Sequence, residues 1–354
     1  MTSKLQVYFP MIKSRNEVLA EIYASEKLKE IFEGWDESSR EEFLDFCTGV
    51  RGVKMLYDFC AKALLDPEIY PERLEELISL LLGMKVKILK VLPNDNSRIA
   101  DESSLLLMDI VVQLEDGSIA NVEIQKIGYA FPGERSACYS ADLLLRQYKM
   151  VRSKATKDTF SYRQIKSVYT IVLFEKSPSE FRAFPHNYIH NFQQTSDTGL
   201  KLDLLQKFVF VSLDIYQKNN HNKGIETRLD AWLMFLSSDH PEDVIALIEK
   251  YPAFRAMYEQ IYEICQNIEK VMEMFSKELY EMDRNTVRYM IDEMQNEIDR
   301  QKVEIEKKDS EINQQKSTLA EKVFELSQMS SELEQKTHAL QEALKRIEEL
   351  ENQK

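Results

Sequence analysis

Apolar positions recur along the chain in three different rhythms, and each predicts a different element. From Glu72 to Leu82 the apolar residues Leu74, Leu77, Ile78, Leu81 and Leu82 fall on one helical face, and Gly83 supplies the stop. Three strands follow. Val86 to Leu92 alternates apolar residues with Lys, Ser104 to Leu114 is almost wholly apolar, and Ile119 to Ile127 alternates less cleanly. A helix is expected from Glu134 to about Lys154, just after Pro132 and Gly133, and buried strands at Val168 to Phe174 and Phe208 to Ile215. The order α-β-β-β-α-β predicts an α/β core with a mixed sheet. Helices are expected on both sides of it. Ser39 to Glu42 has the S-x-x-E pattern of a capping box, Glu226 to Leu236 and Glu242 to Lys250 read as helices, and Pro252 opens a long one.

The third rhythm has a period of seven. Ile291, Ile298, Ile305, Ile312, Leu319, Leu326, Leu333, Leu340 and Ile347 form an unbroken aliphatic series, the mark of a coiled coil. The companion seam, from Gln295 through Lys302, Asp309, Lys316 and Val323 to Leu344 and Glu351, is largely polar, which weakens the coil. A homo-oligomerisation stalk is the plain reading of this pattern. The chain therefore divides into a helical N-terminal extension at 1–53, a core at 54–220, a helical extension at 221–288 and a coiled coil at 289–354.

Composition narrows the class. The 354 residues carry a net charge of −14, with 44% hydrophobic residues, enough for a packed core. No uncharged apolar run reaches the ~18–20 residues of a membrane span. Cys47, Cys60, Cys138 and Cys265 make no CxxC pair, which sets aside a zinc finger and points to a reducing cytoplasmic setting. His186 and His190 lack the glutamate of a zinc-protease motif and read as ordinary polar residues. Trp35, Trp232, Phe181, Phe184 and Phe192 read as core.

An acidic chain is a poor match for nucleic acid until its charge is resolved locally. Residues 135–166 hold eight basic side chains against Asp142 and Asp158, a net of +6. Just ahead lies Asp109, a lone carboxylate in an apolar strand, and Glu123 and Gln125, which share a face of the next strand. Buried carboxylates are costly unless paired or bound to a metal. A two-residue Asp116-Gly117 turn would set Asp109 opposite Ile124, with its side chain on the wrong face. A three-residue turn, Glu115-Asp116-Gly117 with Gly117 left-handed, sets Asp109 directly across from Glu123. Opposed carboxylates that close call for a cation, and an oxygen-ligand Mg²⁺ site with the backbone carbonyl of Ile124 as third ligand follows. The bland counterpart is pairing of each carboxylate with a buried Arg or Lys. On the following helix Tyr139, Leu143 and Gln147 form a stripe, with Arg146 beside it.

These residues, with Pro71-Glu72-Arg73-Leu74, Val91-Leu92-Pro93-Asn94, Leu107-Met108-Asp109-Ile110, Asn121 to Lys126, Tyr129 to Arg135, Tyr139 to Asp142, Tyr169 to Leu173 and Asp197 to Lys201, resemble the PD-(D/E)XK nuclease superfamily, in its transposase (recombination-promoting nuclease) branch. The resemblance spans about Lys54 to Ile215. It implies a restriction-endonuclease-like αβββαβ core and Mg²⁺- or Mn²⁺-dependent cleavage of DNA. It implies Asp109 and Glu123 as metal ligands, Gln125 in the place of the usual Lys, and substrate contact or site support from Tyr139 and Gln147; in an endonuclease Arg135 or Arg146 would neutralise the phosphate. Gln can position a water through its amide but carries no charge. Two functions follow as expectations: a metal-dependent DNA endonuclease, or a catalytically weak nuclease-fold module that binds nucleic acid or protein and assembles through its coiled coil.

Overall fold

The computed structural model describes residues 3–92, 109–126, 132–155, 159–220 and 223–351, with Asp109 described by its backbone alone. It falls into two units, Met1–Met290 and Ile291–Lys354.

The first unit begins with six helices: α1 (Lys4–Tyr8), α2 (Arg15–Tyr23), α3 (Glu26–Gly34), α4 (Glu37–Thr48), α5 (Asp58–Leu65) and α6 (Pro71–Leu82). The strands β1 (Ile88–Val91), β2 (Asp109–Leu114) and β3 (Ile119–Gln125) follow, then α7 (Pro132–Lys154) and β4 (Val168–Phe174). After these come α8 (Ser179–Arg182), β5 (Ile189–Phe192), β6 (Gln206–Ser212), α9 (Leu213–Asn220), α10 (Arg228–Ser237), α11 (Pro241–Lys250), α12 (Ala253–Cys265) and α13 (Ile268–Glu351). The expected core order is present as α6-β1-β2-β3-α7-β4. The upstream part of the second expected strand, 104–108, and the motif residues Pro93, Asn94, Ile127 and Tyr129 to Phe131 lie outside the described residues.

The described strands form one sheet ordered β1-β2-β3-β4-β6-β5. β1, β2 and β3 run antiparallel, β3-β4 and β4-β6 are parallel, and β5 closes the edge antiparallel to β6. The parallel pair β3 and β4 is buried throughout, as strands covered on both faces must be. One face, carrying Val122, Ile124, Ile171, Leu173 and Val209, joins a large apolar core that runs from Leu5 to Phe275 and crosses the sequence boundaries near 53 and 220. Phe275 of α13 is its aromatic hub, 5.2 Å from Trp35, 5.7 Å from Phe43, 5.5 Å from Phe46 and 5.8 Å from Tyr57 between ring centroids. The other face meets α7 through a small cluster of Leu92, Val111, Ile119, Leu143 and Val168, and packs Val172, Phe174 and Phe210 with Phe181.

Several sequence expectations shift. The residue that caps α4 is Asp36, whose carboxylate accepts from the Ser39 amide at 2.8 Å, so Ser39 is the third helical residue rather than the cap. Glu42 is thereby free for Lys54 and the Tyr57 hydroxyl, which it binds. The run Phe208 to Ile215 is not all strand, because the chain turns into α9 at Leu213. The helix after Pro252 ends at Cys265 without Gly or Pro. Gln266 donates its amide to Met11 O at 2.6 Å, and Asn267 accepts from Lys270 N at 3.0 Å, capping α13 anew. Trp232 and Phe181 are core, whereas Phe184 and Phe192 are exposed.

The second unit is the remainder of α13. Its aliphatic heptad positions Ile298, Ile305, Ile312, Leu319, Leu326, Leu333 and Leu340 are all exposed. These positions form a row of exposed aliphatic side chains along the helix.

Candidate metal centre

The β2-β3 hairpin sets the geometry. Leu114 N donates to Ser118 O at 2.9 Å and Gly117 N to Leu114 O at 2.9 Å, and Gly117 has φ +89°, a region that favours glycine. The three residues Glu115, Asp116 and Gly117 thus form the turn, and Asp116 steadies it by accepting from Ser118 N at 2.9 Å. The register that follows pairs Asp109 with Glu123.

The kind of pair matters as much as the register. Ile119 N bonds to Ser167 O at 3.1 Å, and Gln125 O accepts from Glu175 N at 2.8 Å. The odd-numbered residues of β3 therefore direct their peptide groups to β4, and the even-numbered ones to β2. Asp109 and Glu123 form a non-hydrogen-bonded pair, the type with Cα atoms only ~4.5 Å apart and side chains closest. The same alternation points the Ile124 carbonyl towards β2, while its side chain sits in the large core.

Glu123 is wholly buried and Gln125 is 1% exposed, and the Gln125 amide donates to the Glu123 carboxylate. Asn121 and Thr170 are buried on the same face. Above them α7 presents Pro132, Ser136, Ser140, Leu143 and Gln147 as its buried stripe. Small side chains at Ser136 and Ser140 let the helix lie close while keeping the layer polar. Their i, i+4 spacing is a signal legible in the sequence. The donor set along this edge is all oxygen and amide, the chemistry that suits a hard divalent cation. Among the described residues no three His, Cys, Asp or Glu side chains converge as a metal cluster.

Lys126 turns to the opposite face, as strand alternation requires. It is 5% exposed, forms an ion pair with Glu278 of α13, and stands 5.2 Å from the Tyr57 ring centre. Burial pushes its pKa down to about 8, with Glu175 and Asp58 opposing the shift. Burial likewise raises the Glu175 carboxyl above its ordinary range. Glu278 also accepts from Asp58 N at 2.9 Å, holding the start of α5. The only lysine adjacent to the motif is thus engaged away from Glu123.

The helix residues separate into two groups. Arg135, Tyr139 and Arg146 are half-buried along one flank of α7, and Arg146 pairs with Asp142 at 2.7 Å. The opposite flank, with Gly133 and Ala137, borders an apolar cleft of about 530 Å³ shared with Phe181, Phe192, Phe208 and Phe210. Gln147 lies at the other end of β3. It donates to Gly117 O at 2.9 Å and accepts from Lys166 N at 2.7 Å. Those are the bonds of a brace holding α7 to the hairpin turn and to the entry of β4, not of a substrate contact beside Glu123.

A mixed sheet whose hairpin opposes two acidic positions, covered by a helix from the next connection, defines an α/β nuclease-type fold. Residues 55–293 match the family model described as PD-(D/E)XK nuclease family transposase, well over half of the chain, and the chain belongs to that family. Nucleases of this family generally use divalent metal ions, and the family implies a DNA substrate. No curated protein and no solved structure matches the chain significantly. Among the described residues no helix is long and apolar enough to cross a membrane.

Proposed function

We propose that the chain is a Mg²⁺- or Mn²⁺-dependent DNA endonuclease of the transposase type that hydrolyses phosphodiester bonds at the Asp109/Glu123 edge of the hairpin. The observation that carries this reading is the non-hydrogen-bonded pairing of Asp109 with the wholly buried Glu123. In this reading Asp109, Glu123 and the Ile124 carbonyl hold the metal. A bound divalent ion would supply a Lewis acid for the phosphate and lower the pKa of a water. Gln125 keeps the Glu123 carboxylate oriented through its amide and positions the attacking water. Arg135, with Tyr139 beside it on α7, meets the scissile phosphate, and Arg146 adds a second basic group one flank-length along. The exposed aliphatic row of α13 supports assembly into a homo-oligomer.

The position of Gln125 supports a second reading, in which the fold binds DNA without turnover, because neither Gln125 nor the inward-turned Lys126 brings a cation to the reacting centre. One experiment separates the two. The purified protein nicks supercoiled plasmid with Mg²⁺ or Mn²⁺, and Asp109→Ala and Glu123→Ala lose nicking while keeping the wild-type circular dichroism spectrum. Nicking that persists in both variants would sink the site. Tight DNA binding without nicking by the wild type would favour the second reading.

A further inference from the structure

At the far end of α7 from Ser136, three aromatic rings gather on the surface. Tyr148 and Tyr162 stack at 6.3 Å between centroids with 15° between planes. Phe160 sets its edge against both, at 5.7 Å from Tyr148 and 5.1 Å from Tyr162. The Arg152 guanidinium lies 4.8 Å from the centre of the Phe160 ring. Tyr162 is 72% exposed. None of the three rings belongs to the buried apolar clusters of the fold, so core packing does not account for them.

The charge along this stretch of the chain is mainly basic. Among the described residues from 143 to 173 there are Arg146, Lys149, Arg152, Lys154, Arg163 and Lys166, and no acidic side chain. Apart from Arg146 these basic residues are exposed. Preassembled rings, of which Tyr162 is largely exposed, beside basic side chains in an otherwise acidic protein, match the requirements of unpaired nucleotides: stacking for the bases and counter-charge for the phosphates. Duplex DNA offers the phosphates but hides its base faces.

We infer that Tyr148, Phe160 and Tyr162, with Arg152, Lys149 and Arg163, form a stacking platform for the unpaired bases of a DNA strand. The inference rests on the proposed DNA substrate and adds that part of it is single-stranded. The platform lies twelve residues along α7 from Ser136, about 18 Å at the helical rise. A strand held there can reach the hairpin edge while its bases remain splayed on the rings.

The test uses the full chain in EDTA, with a fluorescein-labelled 20-nucleotide oligo-dT and a labelled 20-base-pair duplex, read by anisotropy. Base–aromatic stacking is worth ~1–3 kcal/mol per base, so Tyr162→Ala is expected to weaken oligo-dT binding roughly 10-fold or more. Tyr162→Phe keeps the ring and stays within about twofold of wild type, and duplex affinity is unchanged in both. Because Tyr162 is exposed, its variants retain the wild-type melting temperature. Oligo-dT affinity unaltered by Tyr162→Ala overturns the platform alone if the wild type still nicks plasmid. Equal losses for duplex and oligo-dT also overturn it, since stacking on unpaired bases cannot produce them. A wild type that binds neither DNA overturns the platform and the proposed substrate together.

Discussion

Replacing Glu278 by Ala removes one side of an ion pair that is almost wholly buried, with side-chain exposures of 4% for Lys126 and 1% for Glu278. A buried pair broken on one side destabilises by ~3–5 kcal/mol, because the remaining charge is left without its partner. The same substitution removes the carboxylate that accepts from Asp58 N at the start of α5, a cap worth ~1 kcal/mol. The sum is about 4–6 kcal/mol, which at ~2–4 °C per kcal/mol lowers the melting temperature by roughly 10–20 °C. Substituting both partners, Lys126→Met with Glu278→Met, removes both charges and recovers most of the loss. Titration gives an independent arm. Lys126 loses its proton near pH 8 in the native state but only near ~10.4 in the unfolded chain. Between those values the unfolded state binds the extra proton, so native stability rises with pH, by up to ~3 kcal/mol. Below pH 8 both states carry the charge and the contribution is flat. Urea denaturation across pH 7–10 checks this, with Lys126→Met as the control that lacks the rise. A Glu278→Ala variant melting within about 2 °C of wild type would refute the reasoning.

Three further outcomes are expected. Gln147→Ala removes both main-chain bonds of the brace and leaves Lys166 N and Gly117 O without that partner, lowering stability by about 2–4 kcal/mol in urea denaturation. Gln125→Ala takes the amide from Glu123, and metal-dependent plasmid nicking falls at least about 10-fold, with a higher Mg²⁺ requirement and the wild-type circular dichroism spectrum retained. Ile305→Lys with Leu319→Lys places charges on the exposed heptad row, and sedimentation equilibrium then gives the monomer mass where the wild type self-associates.

Much of the sheet was legible because its strands carry strong local signals. β4 matches its apolar run from Val168 to Phe174, and the register of β2 with β3 follows from the length of one turn. Weak or displaced signals account for the misses. β5, Ile-His-Asn-Phe, is a four-residue edge strand with two polar positions, too short for alternation to register. The apolar run after Phe208 continues through Ser212 into α9, so hydropathy alone cannot mark where strand becomes helix. The break between α12 and α13 is made by side-chain bonds of Gln266 and Asn267, which no proline or glycine announces. For the site, Glu123 and Gln125 sharing a face is a period-two statement and was readable. The pairing of Lys126 with Glu278 joins residues far apart in the chain and left no local pattern. Gln147 lay on the expected stripe, but a stripe gives the side of a helix and not the level along it.

Surface turns ordinarily absorb insertions and deletions with little effect, and Glu115-Asp116-Gly117 has the composition of such a turn. This one cannot. Loss of a single residue there would slide β2 by one position against β3, exchanging the faces of every side chain from Ile110 to Leu114. Val112 and Leu114, now in the large core, would turn towards α7. The hairpin is thus intolerant to length change at its most exposed point while remaining open to substitution at Glu115. In a library of random variants, point changes at Glu115 would survive, and one-residue indels between 114 and 118 would be depleted as sharply as core mutations.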